Sequence, residues 1–207
     1  MSAENENVPE NAPKDSSQPP ANPETYSEQV HHAPVGARLP ERVAQGVFST
    51  GVIVVEGPEE FVLDFIQGLT RPLRVAARVV LSPRVMWQFI GALRENLQRY
   101  EQAFGPPKPL PPATAERRPT IQEIYQELRV PDELLSGAYA TTVMIGHSPS
   151  EFFMDFITRF YPTAAVSARV YMAASQIPRT LQALTTAYQN RVHRSQETRR
   201  PGPPEQT

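Results

Sequence analysis

Two pairs of carboxylates recur at one spacing: Glu60 with Asp64 and, ninety-one positions later, Glu151 with Asp155. Paired carboxylates are what a hydrolase uses as general acid and general base. Each pair lies in an alternating apolar stretch, "EFVLDF" and "EFFMDF", that reads as a β-strand. On a strand, positions i and i+4 share a face and stand about 13 Å apart, too far for a two-carboxylate glycosidase site. Arginines make better partners. Arg74 and Arg78 fall on the outer face of the next predicted strand, and Arg169 falls at the matching place later in the chain. A hairpin turning near residue 71 sets Asp64 opposite Arg78, and the same geometry sets Asp155 opposite Arg169. An exposed cross-strand pair contributes about a few tenths of a kcal/mol. Asp64 with Arg78 and Asp155 with Arg169 are therefore read as structural pairs, and with Glu60, Arg74 and Glu151 they make up a polar interaction face that has no catalytic residue.

The other chemistry-bearing residues are scattered. The absence of cysteine excludes disulfides, thiolate metal sites and cysteine nucleophiles. Of the four histidines, His31, His32 and His193 lie toward the chain ends, and His147 precedes the Ser148-Pro149 turn, where a turn hydrogen bond is expected of it. No pair outside the N-terminal stretch has ligand spacing, so no metal or cofactor is expected. No serine sits in a glycine-flanked nucleophile motif, and there is no glycine-rich phosphate loop. The expectation is a protein that is not an enzyme.

The formal net charge of −2, with 20% charged residues, gives no global pull toward nucleic acid or an anionic membrane. The start, "MSAENENVPENAPKDSSQPP", is acidic and lacks the apolar centre of a signal peptide. Apolar runs such as Val52 to Val55 are far too short to span a bilayer. These features, with the lack of cysteine, lead to the expectation of a soluble cytoplasmic protein without a membrane partner.

Composition divides the chain. Residues 1–38, rich in Pro, Asn, Glu, Ser and Gln, and residues 192–207 read as disordered tails, because they have too little apolar surface to offset the entropy of ordering. Residues 106–130 read as a proline-rich linker followed by a short helix. Its "PPKPLPP" is a spacer or a ligand for a proline-binding groove. The two patterned blocks, 39–105 and 131–191, align without a gap at the ninety-one-residue offset. Pro40, Gly46, Thr50, Pro58, Phe61, Phe65, Val75, Ala77, Arg78 and Leu93 meet Pro131, Gly137, Thr141, Pro149, Phe152, Phe156, Val166, Ala168, Arg169 and Leu184. This is an internal duplication with the period of a small domain.

In each copy, "GVFSTGVIVVEG", "EFVLDFIQGL" and "LRVAARVVL" read as three strands, with Phe61, Leu63 and Phe65 on one face and Val75, Ala77, Val79 and Leu81 on another core face. Ser82-Pro83 starts a helix to about Phe104, with the stripe Met86, Ile90, Leu93, Leu97, Tyr100 and Phe104. The second helix should start near Pro178 and reach about Arg191, with Leu181, Leu184 and Tyr188 as its stripe. Residues 120–128 should form a connecting helix, capped by Thr120 and Glu123, that turns Ile121, Ile124, Tyr125 and Leu128 inward. The predicted fold class is α+β: a duplicated β-β-β-α unit whose two copies complete each other as an intramolecular pseudo-dimer, since one copy of about sixty residues has a marginal core.

The strings "GAYATTVMIGHSPSEFFMDF" (137–156), "SARVYM" (167–172) and "LSPRVMWQFIGALRENLQRYEQAFG" (81–105) resemble a bacterial and archaeal domain-of-unknown-function family, the one numbered 3467. Members usually carry one unit whose helix ends in an "NxxxYExxFG"-like signature, read here as Asn96, Tyr100, Glu101, Phe104 and Gly105. The first copy keeps this ending but has Val55, Glu56 and Gly57 in place of the family's "xHS" step. The second copy keeps His147-Ser148 but has Ala187 and Arg191 where the ending has Asn and Tyr. The resemblance implies a fold grouping and brings no activity.

The expected function is protein–protein association as a scaffold or accessory module, with a protein partner and scope for a homo-oligomer. Trp87, beside the helix stripe, joins the interaction residues as an interface marker of the first copy. The alternative is a single-stranded nucleic-acid binder of PUR- or Whirly-like architecture. Such a binder needs cations and stacking aromatics on an open sheet. Arg74, Arg78 and Arg169 supply the first, offset by the four carboxylates. Phe48 and Tyr139, at matching positions, are the candidate stacking aromatics, with a place in the core as the other reading of them. Arg191, Arg194, Arg199 and Arg200 add a basic cluster near the C-terminus.

Overall fold

A computed structural model describes residues 36–111, 120–160 and 162–198. Most of the expected N-terminal tail, the central part of the linker, and Arg199 and Arg200 lie outside the described residues, as do His31 and His32. All described residues belong to one unit, His32–Thr207.

The first copy contains α1 (Glu41–Ala44), β1 (Val47–Ser49), β2 (Gly51–Glu56), β3 (Phe61–Gln67), β4 (Arg74–Leu81) and α2 (Pro83–Phe104). A connecting helix, α3 (Ile121–Glu127), follows. The second copy contains β5 (Ala138–Ala140), β6 (Thr142–His147), β7 (Glu151–Thr158), β8 (Ala165–Ala173) and α4 (Ile177–Thr198). The class is α+β, with the duplicated unit legible in the element order.

The stretch read as one strand, 46–57, is two strands in two different sheets. β2, β3 and β4 form an antiparallel meander, and β5 of the second copy joins it parallel to β4. The other sheet runs β1-β8-β7-β6, with β1 of the first copy parallel to β8. Each copy thus lends a strand to the other's sheet. The crossing is made at Thr50 and repeated at Thr141. The Thr50 N–H donates to the Ile66 carbonyl at 2.8 Å, and the Thr141 N–H donates to Ile157 at the same distance. Each threonine hydroxyl accepts a backbone N–H beyond the end of the neighbouring strand, from Gly68 and Arg159 respectively. Ser49, fully buried beside Thr50, donates to the Gly51 carbonyl at 2.7 Å, which satisfies groups that a straight strand would leave to its neighbour.

The helices also exchange. α2 packs against β6, α4 packs against β2, and the two helices pack on each other. Phe61, Leu63, Phe65, Val79 and Leu81 of the first sheet, Phe152, Met154, Phe156, Val170 and Met172 of the second, and Met86, Phe89, Ile90 and Leu93 of α2 belong to one continuous core. Phe65 and Phe156, at matching positions, touch at 5.4 Å between ring centres across the joint.

Local signals behave as expected at most helix ends. The Ser82 hydroxyl accepts from the Val85 N–H, and Thr120 and Glu123 form a complete capping box. Other readings need correction. α4 starts at Ile177, next to the expected Pro178, but continues through Thr198 in place of ending near Arg191, so residues 192–198 are helical. Arg38, placed in the tail by composition, is held by backbone hydrogen bonds to Ala164 and Val166. Phe104, the last residue of the apolar stripe, is 49% exposed, so the stripe is buried only as far as Tyr100. Val75 does not share the face of Ala77. A bulge between Phe65 and Ile66 leaves Ala76 unpaired and turns Val75 to the opposite side, into a second apolar cluster with Ile53 and Leu128.

Candidate functional site

Asp64 is directly opposite Arg78, and Asp155 directly opposite Arg169. Both pairs are bidentate, with Nε–Oδ1 and Nη2–Oδ2 distances of 2.7 Å. They are not the exposed pairs expected: Asp64 is 0% and Asp155 1% exposed. The reason is the strand exchange. The loops before β5 and β1 lie across the sheets, and the backbone carbonyls of Leu135 and Ala44 take further contacts from Arg78 and Arg169. Hydrogen bonding to its carboxylate holds each guanidinium above its ordinary pKa. Such cations are committed to their own sheet.

Between the copies is a cleft of about 570 Å³ where matching residues face one another: Arg78 and Arg169, Gly46 and Gly137, Arg42 and Glu133. Both glycines have positive φ, 65° and 69°. A Cβ at Gly46 would lie 2.5 Å from the Tyr171 ring, so the approach of chain to sheet requires glycine here.

The outer faces of the two sheets differ. On the first, α3 lies over Ile53, Ile66 and Val75 with Ile124 and Tyr125. The Tyr125 hydroxyl donates to Asp64, making the ion pair a triad. Burial first, then this bond and the Asp64 charge, push the tyrosine up to about 12. On the second sheet no described helix takes this place. Met144, the counterpart of Ile53, is 50% exposed where Ile53 is 7% exposed. The row across the first sheet is Val55, Val62, Val80 and Tyr139. The matching row across the second is Gly146, Phe153, Tyr171 and Phe48.

The remaining sequence-selected residues lie apart from one another. Glu60, in the turn before β3, accepts from the Glu59 N–H, and Arg74 donates to Gln67. Glu151 is exposed at the start of β7, where the hydroxyls of Ser148 and Ser150 donate to it at 2.8 Å and lower its pKa. Trp87 is 57% exposed on α2 and packs on Tyr188 of α4 at 5.3 Å. Phe48 and Tyr139 are 37% and 44% exposed at the sheet edges. His147 does not hold its turn: the Ser148 hydroxyl does, accepting from the Ser150 and Glu151 N–H groups. The imidazole packs instead among Tyr100, Phe104 and Phe152, and its buried Nδ1 has no hydrogen-bond partner among the described residues.

Sequence reasoning missed three contributors. Tyr125 reads as part of an apolar stripe, and only the packing of α3 shows where its hydroxyl goes. Phe153 and Tyr171 carried a usable signal: each is two residues from a polar outer-face residue, Asp155 and Arg169.

Among the described residues no group of three His, Asp or Glu side chains is placed to hold a metal, and no helix is long and apolar enough to cross a membrane. The geometry defines a duplicated α+β module with exchanged strands and helices. The family described as a protein of unknown function, DUF3467, matches residues 1–109 and again residues 111–194, so the chain belongs to this family and carries its unit as two tandem copies. The sequence matches no curated protein.

Proposed function

We propose that the protein is a non-enzymatic association module, a scaffold or accessory subunit, that holds a protein partner on the outer face of its second sheet. The observation that supports this is the contrast between matched positions: Ile53 lies at 7% exposure beneath α3, and Met144 at 50% with no described helix over it. Ile157 and Val166, the counterparts of Ile66 and Val75, are buried, so the opening is local to Met144, and an exposed apolar patch beside a covered counterpart is the kind of surface that partners cover. The side chains that chemistry would recruit are occupied, Asp64 and Asp155 in closed ion pairs and Arg191 on the Gly57 and Pro58 carbonyls. The same occupancy weighs against single-stranded nucleic acid, since Arg78 and Arg169 are neutralised in place. In this reading Glu151, at the start of β7, borders the face, and Glu60, Arg74 and Trp87, which lie just before β3, on β4 and on α2 of the first copy, take no part in it. The cysteine-free chain suits the reducing cytoplasm, where we place it.

The test is affinity enrichment from the native host with the full chain and with Met144→Glu as baits, each after nuclease treatment. A protein retained by the first bait and lost from the second is expected. Identical profiles from both baits, or retention that nuclease abolishes, would overturn the reading.

A further inference from the structure

The aromatic row of the second sheet ends in a groove of about 510 Å³ lined by Phe48, Tyr171, Phe153, His147 and Glu151. We propose that this groove binds an extended, proline-rich segment carrying a lysine or arginine. The inference deepens the association reading and rests on it.

Three observations carry it. First, the rings are set apart. A Cβ at Gly46 would meet Tyr171 at 2.5 Å, and one at Gly146 would meet Phe153 at 2.3 Å. Tyr171, on β8, therefore leans toward β1, and Phe153, on β7, leans toward β6. The trough between them presents aromatic walls to the ligand. Rigid pyrrolidine rings in a polyproline II segment fill such troughs with little loss of entropy. Second, the charge is one-sided. Glu151 and Phe153 share the outer face of β7, and the groove lining contains no lysine or arginine. Ser148 and Ser150 stabilise the Glu151 carboxylate. The Arg169 guanidinium, 5.9 Å from the Phe153 ring centre, is bound to Asp155. His147 faces the groove but is packed among rings of α2 and β7. A cationic ligand is matched here and a polyanion is repelled. Third, the feature belongs to one copy. The matched row, Val55, Val62, Val80 and Tyr139, is aliphatic apart from its edge, so among the described residues only the second sheet has this aromatic row. The chain also shows the ligand type: residues 106–111, "PPKPLP", are largely exposed.

The probe is a synthetic PPKPLPP peptide titrated by calorimetry or NMR into the full chain, with PPEPLPP and oligothymidylate in parallel. Saturable binding tighter than about 1 mM is expected, weakened at least about tenfold by Tyr171→Ala, about two- to fivefold by Glu151→Gln, and more than that by the lysine-to-glutamate peptide, which turns attraction into repulsion. Glu151 is exposed, so Glu151→Gln keeps the test valid should Tyr171→Ala fail to fold. No saturation, equal affinity for both peptides, or tighter binding of oligothymidylate at the groove would overturn the proposal. Peptide failure alongside a Met144-dependent partner would remove this groove and leave the association reading standing. Loss of the Met144-dependent partner as well would remove both.

Discussion

A buried aspartate normally destabilises a fold unless every lone pair facing the protein is used. Asp64 meets this requirement with Arg78 and Tyr125, whereas Asp155 meets it with Arg169, whose guanidinium also donates to the Ala44 carbonyl. Tyr125 is therefore the residue whose removal separates the two sites. Tyr125→Phe should lose about 1 kcal/mol in urea denaturation at neutral pH, because a hydroxyl bonded to a charged acceptor is deleted. The pH dependence has a definite sign. The folded tyrosine titrates near 12, above the ordinary 10, so the unfolded chain releases its proton first. The stabilisation is complete below about pH 10 and is lost as pH rises through about 12. The Tyr125→Phe variant lacks that contribution, so the wild-type chain should lose its advantage over the variant across this window. A difference that stays constant to pH 12 would contradict the assignment.

At the level of elements, the helix exchange explains why each copy keeps only half of the family pattern. Tyr100, from the ending kept by the first copy, donates to the Pro149 carbonyl and packs on His147, both from the front kept by the second. At the matching joint, Arg191 stands for Tyr100 and Glu56 for His147. Arg191 donates to the Pro58 carbonyl at 2.6 Å and lies 3.7 Å from Glu56, while Arg194 also bonds Glu56. One joint is aromatic and the other ionic. The losses look independent along the chain because each interacting pair is split between copies. A double-mutant cycle on Glu56→Gln and Arg191→Gln should give a coupling of about 0.5–1 kcal/mol that shrinks in 1 M salt. Tyr100→Phe should show no such salt dependence. A coupling unchanged by salt would mean that Arg191 acts through its carbonyl contacts alone.

The whole molecule is a closed exchange. Neither sheet has its fourth strand, nor its covering helix, from its own copy. A chain consisting of residues 36–111 should therefore not fold as a monomer. It should sediment as a dimer in which β1 of each subunit pairs with β4 of the other. A folded monomer of this piece would show that the exchange is dispensable. The construction also makes the faces unequal, because one connecting helix serves two sheets. α3 covers Ile53 on the first sheet, while its counterpart Met144 on the second is half exposed, and there we place the partner.

The duplication, the spans of β3, β4, α2 and α3, the cross-strand Asp–Arg registers and the capping box were legible in the sequence, because each depends on periodicity or on residue types a few positions apart. Folding decided what long-range packing controls: the transfer of β1 and β5 between sheets, the exchange of α2 and α4, the bulge that turns Val75 over, and the burial of both ion pairs. A strand pattern records which side of a sheet is apolar but carries no label for the sheet it joins. The choice between the two sheets at Thr50 and Thr141 rests on hydrogen bonds to residues sixteen positions away in each case. The groove of Phe48, Tyr171 and Phe153 exists only after that choice, since it is assembled from three strands of both copies.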